Sequence, residues 1–121
     1  MRTSVENVYF DNLKVTDLLV DGYFELSLRA GNRQAFVDRL STPAGANLYK
    51  SIKNIKQPTL LLWGLNDLLI PVENAYKFKR DLPNATLVIL ENSGHTPMEE
   101  NPSESLEAVL EFLRKGESVN D

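Results

Sequence analysis

The chain has 121 residues, 42% hydrophobic and 25% charged, the size and balance of one small globular domain with a core of its own. Its net charge is −4 (13 basic against 17 acidic side chains) with no Lys/Arg cluster, which argues against a nucleic-acid partner. No cysteine is present, so disulfides and thiol chemistry are excluded; the apolar runs Leu60–Trp63 and Leu87–Leu90 are too short for a bilayer, and the polar Met1–Glu6 leads into no signal-peptide core, so no membrane partner and a cytoplasmic location are the default expectations.

Taken in chain order, the first half reads as short helices and loops. Thr16 before Asp17 predicts a helix start, with Leu19, Tyr23 and Leu26 on one face. Gly31-Asn32 breaks that helix and opens a second over Arg33–Leu40, whose apolar face is Ala35, Phe36 and Leu40. Ser41–Ala46, with Pro43 and Gly45, reads as a loop, and Asn47–Ile55 as a third short helix.

Past Gln57-Pro58 the pattern changes. Thr59–Trp63 is an unbroken apolar run, the mark of a strand buried on both faces. Pro71 suits the first turn of a helix that runs to about Asp81 and stops at Leu82-Pro83-Asn84. Ala85–Leu90 is a second buried strand. Asn101-Pro102-Ser103-Glu104 predicts a capped helix start, with Leu106, Val109, Leu110 and Leu113 as a core stripe, Gly116 as its end and Glu117–Asp121 as a frayed tail. The fold class is therefore α/β: a helical segment over residues 1–57, then a βαβα unit over 58–121 whose strands are parallel.

Sites in parallel sheets form beyond the carboxyl ends of the strands. Asp67 lies four residues after Trp63, and His95, the only histidine, lies five after Leu90, so both fall at the same sheet edge. Neighbouring strands stand about 5 Å apart, within reach of loop side chains. A carboxylate bonded to an imidazole fixes its tautomer and stabilises the imidazolium formed during proton transfer. Gly94 frees the backbone before His95, and Pro97 stiffens it after.

Plainer readings stand beside this one. A lone loop histidine is commonly solvated, and an Asp after a strand commonly holds its own Asx turn, although Asp67 is too far ahead of Pro71 to cap the next helix. Glu99 and Glu100 read as exposed charge near a helix N-terminus, and Trp63 as core. As a phospho-acceptor Asp67 lacks the acidic cluster and lysine that such a site needs.

Pro58-Thr59-Leu60-Leu61-Leu62-Trp63-Gly64-Leu65-Asn66-Asp67-Leu68-Leu69-Ile70-Pro71 resembles the penultimate strand, acid loop and helix start of an α/β-hydrolase. Ala85–Leu90 resembles the last strand of that family, and Ser93-Gly94-His95-Thr96-Pro97-Met98-Glu99-Glu100-Asn101-Pro102 resembles its histidine loop. More loosely, Tyr23-Phe24-Glu25-Leu26 and Gly31-Asn32-Arg33-Gln34-Ala35-Phe36 look like lid helices of the epoxide-hydrolase-like and haloalkane-dehalogenase-like branches. The resemblance implies a partial α/β-hydrolase fold with a lid-like segment at 1–57. It implies Asp67 as triad acid and His95 as triad base, in the family's order of nucleophile, acid, histidine.

The family's nucleophile elbow, Gly-x-Ser-x-Gly or an Asp or Cys version, has no counterpart here: no glycine has a serine two places on, and no two glycines are four apart. The expectation is a hydrolase of a small, largely apolar ester or related molecule whose nucleophile and oxyanion hole lie outside these residues, so that the 121 residues alone turn over no substrate. Met1 is then an internal methionine or the start of a truncated reading frame. The competing expectation is an inactive truncated chain that self-associates or binds a partner through unpaired strand edges. The partners expected are thus a small-molecule substrate and either a second copy or a missing N-terminal half. No metal or organic cofactor is implied.

Overall fold

A computed structural model describes residues 1–42 and 48–117. Strands β1 (Thr59–Gly64) and β2 (Ala85–Leu90) pair in parallel, from Thr59 opposite Ala85 to Gly64 opposite Leu90. Helix α4 (Glu73–Asp81) makes the crossover, the short helix α5 (Pro97–Glu100) follows β2, and α6 (Pro102–Glu117) also contacts both strands. Thr59 and Trp63 in β1 and Thr86, Val88 and Ile89 in β2 favour a pleated, apolar surface over a helix. Ahead of the sheet come α1 (Arg2–Glu6), a 3₁₀ turn at Asn12–Lys14, α2 (Asp17–Leu28), α3 (Asn32–Ser41) and a 3₁₀ helix at Leu48–Asn54.

Local signals set several of these boundaries. The Thr16 side chain accepts a hydrogen bond from the Leu19 amide at 3.2 Å and starts α2. Gly31, at φ 88°, takes the left-handed turn between α2 and α3. Other boundaries move. Pro71 precedes α4 and accepts from the Asn74 amide in a turn, and within the segment expected as a helix over Asn47–Ile55, Leu48–Asn54 is 3₁₀ while Asn47 lies outside the described residues. Gly116 does not end α6, which runs to Glu117; a side chain there would meet nothing, so glycine costs the helix only propensity. Most of the expected loop Ser41–Ala46 and all but the first residue of the expected tail lie outside the described residues.

Burial departs from the periodic reading. Only Gly64, Ala85 and Leu90 of the two strands are buried; the rest are half-buried, and Thr86 is exposed. On the α6 stripe, Leu106 is 58% exposed and Leu113 54%, and on α3 Phe36 and Leu40 are exposed. Two strands with α4 and α6 against them leave too little structure to cover every apolar face. A buried apolar cluster lies elsewhere, where α1 and the residues after it meet the start of α2. Val5, Tyr9 and Val15 pack together, with Val8, Leu19, Val20 and Tyr23 around them.

Candidate active site

Both loops leave the same end of the paired strands and are laced together by backbone. The Leu65 amide donates to the Leu90 carbonyl at 2.9 Å and the Asn66 amide to the Ser93 carbonyl at 3.0 Å. A Cβ on Gly64 would fall 2.0 Å from the Gly94 carbonyl oxygen, so only glycine allows the two backbones this approach. Gly94 is required for the same kind of reason rather than for an unusual φ. Its missing Cβ leaves room for the Val8 carbonyl oxygen, which would otherwise lie at 2.5 Å.

Asp67 and His95 meet. The carboxylate Oδ2 is 2.8 Å from the imidazole Nδ1, the distance expected of the pair. A carboxylate offers only acceptors, so Nδ1 carries the hydrogen. The Asp67 side chain is 4% exposed and that of His95 35%, so the acid is enclosed while the ring keeps a wet side. The plainer reading of Asp67, an Asx turn, is seen beside this contact. Its Oδ1 accepts from the Leu69 and Ile70 amides, each at 2.9 Å, in an Asx turn. The acid thus has a structural task on one oxygen and the histidine on the other. Trp63, half-buried rather than core, donates its indole N–H to the Ile70 carbonyl at 3.0 Å and ties down the far side of that turn.

Glu99 is exposed at a helix N-terminus as its local sequence suggests, although hydrogen-bonded, whereas Glu100 is not the exposed charge expected. Glu100 is 3% exposed. Its Oε1 accepts from the Gly94 amide at 2.5 Å, and its Oε2 from the Phe10 and Asp11 amides at 2.8 and 3.3 Å. Glu99 accepts from the hydroxyls of Tyr9 and Tyr23. Burial, then the bond to Glu99, then its charge push both phenols above their usual range. Asn101 does not cap α6 in the manner expected. Its amide donates to the Asn92 carbonyl and Ser93 Oγ, and its oxygen accepts from Lys14 Nζ.

No local signal marks Glu100, because its partners are backbone amides, one next to the histidine and two about ninety residues away. The same holds for residues 8–11, which lie across the histidine loop as a strap. The Val8 carbonyl accepts from the His95 amide at 2.7 Å.

A cleft of about 630 Å³ between this strap and the acid loop reaches Asp67, with Tyr9, Phe10, Asn66 and Leu68 on its walls. A larger cavity of about 940 Å³ lies under α2, lined by Lys14, Leu19, Tyr23, Leu26 and Glu99; neither Asp67 nor His95 borders it. Among the described residues no three His, Cys, Asp or Glu side chains converge as a metal would need, and no helix is long and apolar enough to cross a membrane.

Comparison with known proteins places the fold. The sequence matches the family model described as the alpha/beta hydrolase fold over residues 9–102. Monoacylglycerol lipase ABHD6 of Homo sapiens is 26% identical over 102 residues, covering 83% of this chain and 30% of the lipase. The 2-hydroxy-6-oxo-6-(2'-aminophenyl)hexa-2,4-dienoic acid hydrolase of Metapseudomonas resinovorans is 28% identical over 109 residues, covering 87% of this chain and 38% of that enzyme. In three dimensions the meta-cleavage product hydrolase of Pseudomonas fluorescens superposes with a TM-score of 0.83 at 24% identity, over 96% of this chain and 45% of that one, a likeness of fold. The chain thus spans less than half the length of these relatives. With most of its residues inside the matched region, the chain belongs to the α/β-hydrolase fold family.

Proposed function

We propose that Asp67 and His95 are the acid and general base of a hydrolase acting on a small, largely apolar ester or related substrate. The observation that carries the reading is the 2.8 Å contact between Asp67 Oδ2 and His95 Nδ1, on loops that follow adjacent parallel strands. With Nδ1 engaged, Nε2 is the nitrogen free to take a proton from the nucleophile, or from the water that resolves a covalent intermediate. Asp67, enclosed and held on its other oxygen, keeps the ring oriented and stabilises the imidazolium. The name of the monoacylglycerol lipase relative supports an ester substrate, and that of the dienoic acid hydrolase supports a small, largely apolar molecule that is not an ester. The nucleophile and oxyanion donors come from outside these 121 residues, which hold no elbow motif.

The test has two arms. The 121-residue chain is assayed with p-nitrophenyl acetate, where background turnover is expected. The reading frame upstream of Met1 is then sequenced for an in-frame Gly-x-Ser-x-Gly or its Asp or Cys version, and the extended chain is assayed with and without His95→Ala. Turnover that the substitution abolishes is expected. An extended chain that turns over ester equally well without His95, or a frame with no elbow, overturns the proposal.

A second reading follows from exposed apolar side chains. Leu13 is 93% exposed, Leu18 83% and Leu68 74%. Such surfaces favour cover by a second copy or by the rest of a hydrolase core.

A further inference from the structure

The strap over the histidine loop is fastened by one side chain. Glu100 has two carboxylate oxygens and spends them on different backbones: Oε1 on Gly94, next to His95, and Oε2 on Phe10 and Asp11. Lys14, three residues past the strap, adds a bond from its Nζ to the Glu100 carbonyl at 2.5 Å. At the strap's other end the Val8 carbonyl holds the His95 amide. The strap has no strand or helix of its own across residues 8–11, so side-chain and backbone bonds to residues 94–101 fix its place.

We propose that Glu100 is a positioning residue for His95. It locks residues 8–11 and residues 94–95 into one unit, and through the Val8 carbonyl sets where the imidazole stands relative to Asp67. This rests on the reading of His95 as general base, but its readouts do not depend on turnover. All three donors to Glu100 are N–H groups, so only a group with acceptors at both ends satisfies them. Glutamine would turn an NH₂ toward one of those donors. Aspartate is one methylene too short to bridge both backbones. A buried amide left without a partner weakens the unit, and the histidine loop is the part it holds.

Because the chain has one histidine, its imidazole can be observed without assignment ambiguity. Nitrogen-15 NMR on the 121-residue chain reads two things: the Nδ1–H signal of the bond to Asp67, and hydrogen exchange of the His95 amide. In Glu100→Gln the Nδ1–H signal is expected to broaden away, and His95 amide exchange to quicken about a hundredfold from donors left unpaired. Glu100→Asp restores neither. Leu82→Ala serves as control. Leu82 is 6% exposed at the end of α4, away from the strap, and its truncation lowers the melting temperature while leaving the imidazole signal intact.

Should Glu100→Gln not fold, the unsubstituted chain decides. The Phe10, Gly94 and His95 amides should open together, with protection within tenfold of one another and the same dependence on urea. Separate opening of His95, or a folded Glu100→Gln with its Nδ1–H signal and His95 protection unchanged, overturns the proposal. Loss of the catalytic reading would appear instead as turnover insensitive to His95→Ala.

Discussion

Asp67 grips His95 with one oxygen and its own loop with the other: Oδ2 lies 2.8 Å from Nδ1, and Oδ1 takes the Leu69 and Ile70 amides. The two tasks can be separated by substitution. Asp67→Asn keeps an oxygen for the turn and puts an NH₂ against Nδ1, which must then accept. The imidazole is expected to change to its Nε2–H tautomer, with stability altered by less than about 1 kcal/mol. Asp67→Ala strands both turn amides as well, and is expected to cost about 1–3 kcal/mol more. Urea unfolding and histidine nitrogen-15 shifts read the two effects. In a chain with a nucleophile, the wrong tautomer should lower kcat on the order of 10⁴-fold, as it does in Ser-His-Asp enzymes.

Gly64 and Gly94 bring three backbones together, and each should be intolerant of alanine. The Gly64 Cβ would sit 2.0 Å from a carbonyl oxygen and the Gly94 Cβ 2.5 Å from another, both backbone atoms that cannot swing aside. Each substitution is expected to cost about 3 kcal/mol or more by urea midpoint. Gly116→Ala is the contrast. Its Cβ meets nothing, and it lies inside α6, so a gain of about 0.5–1 kcal/mol is expected from helix propensity.

The paired phenols predict an alkaline weakness. The folded chain holds the Tyr9 and Tyr23 hydroxyls protonated beyond their ordinary value of 10.0, through burial first and then Glu99. Folding therefore favours the protonated forms. That stabilisation is complete below pH 10, the unfolded value, and is lost as pH rises through the higher folded values. The urea midpoint should hold up to about pH 10 and fall progressively above it. Tyr9→Phe should flatten that fall while costing about 1 kcal/mol at neutral pH. Phenolate absorbance of the native chain should show two tyrosines ionising late; all four titrating together near pH 10 would remove the account.

Elements with a local cause were legible in the sequence. Thr16 marks α2 because its hydroxyl meets an amide three residues on, and β1 and β2 are apolar runs of strand length with Pro or Asn at their borders. The order of Asp67 and His95 after those strands placed them at one edge, which is why their meeting could be anticipated. What escaped is what depends on distant chain. Val5, Val8 and Tyr9 recur at three- and four-residue spacing, but over a stretch too short to mark a core, and with Val15 they form a buried cluster only by meeting α2. Glu100 looks like helix-terminal charge until residues 10 and 11 arrive to meet it. The Leu106 and Leu113 stripe erred in the opposite direction. Its period correctly gave a helix, but an apolar face is buried only where something covers it.

That uncovered surface leads to the association behaviour of the chain. Leu13, Leu18, Leu40, Phe36 and Leu68 are each more than half exposed, and so are Leu106 and Leu113 on the helix beside the sheet. The sheet has two strands, so each has one edge without a partner among the described residues. Unpaired edges and apolar patches both lower their free energy by pairing with another chain. The 121-residue chain is therefore expected to form dimers or larger assemblies at micromolar concentration, with an urea midpoint that rises with protein concentration, because association stabilises only the folded form. Light scattering behind a sizing column measures the first and unfolding at two concentrations the second. A monomer over a wide concentration range, unfolding cooperatively at a fixed midpoint, would mean that the Val5–Tyr9–Val15 cluster and the strap suffice to close the fold. The exposed leucines would then need no cover.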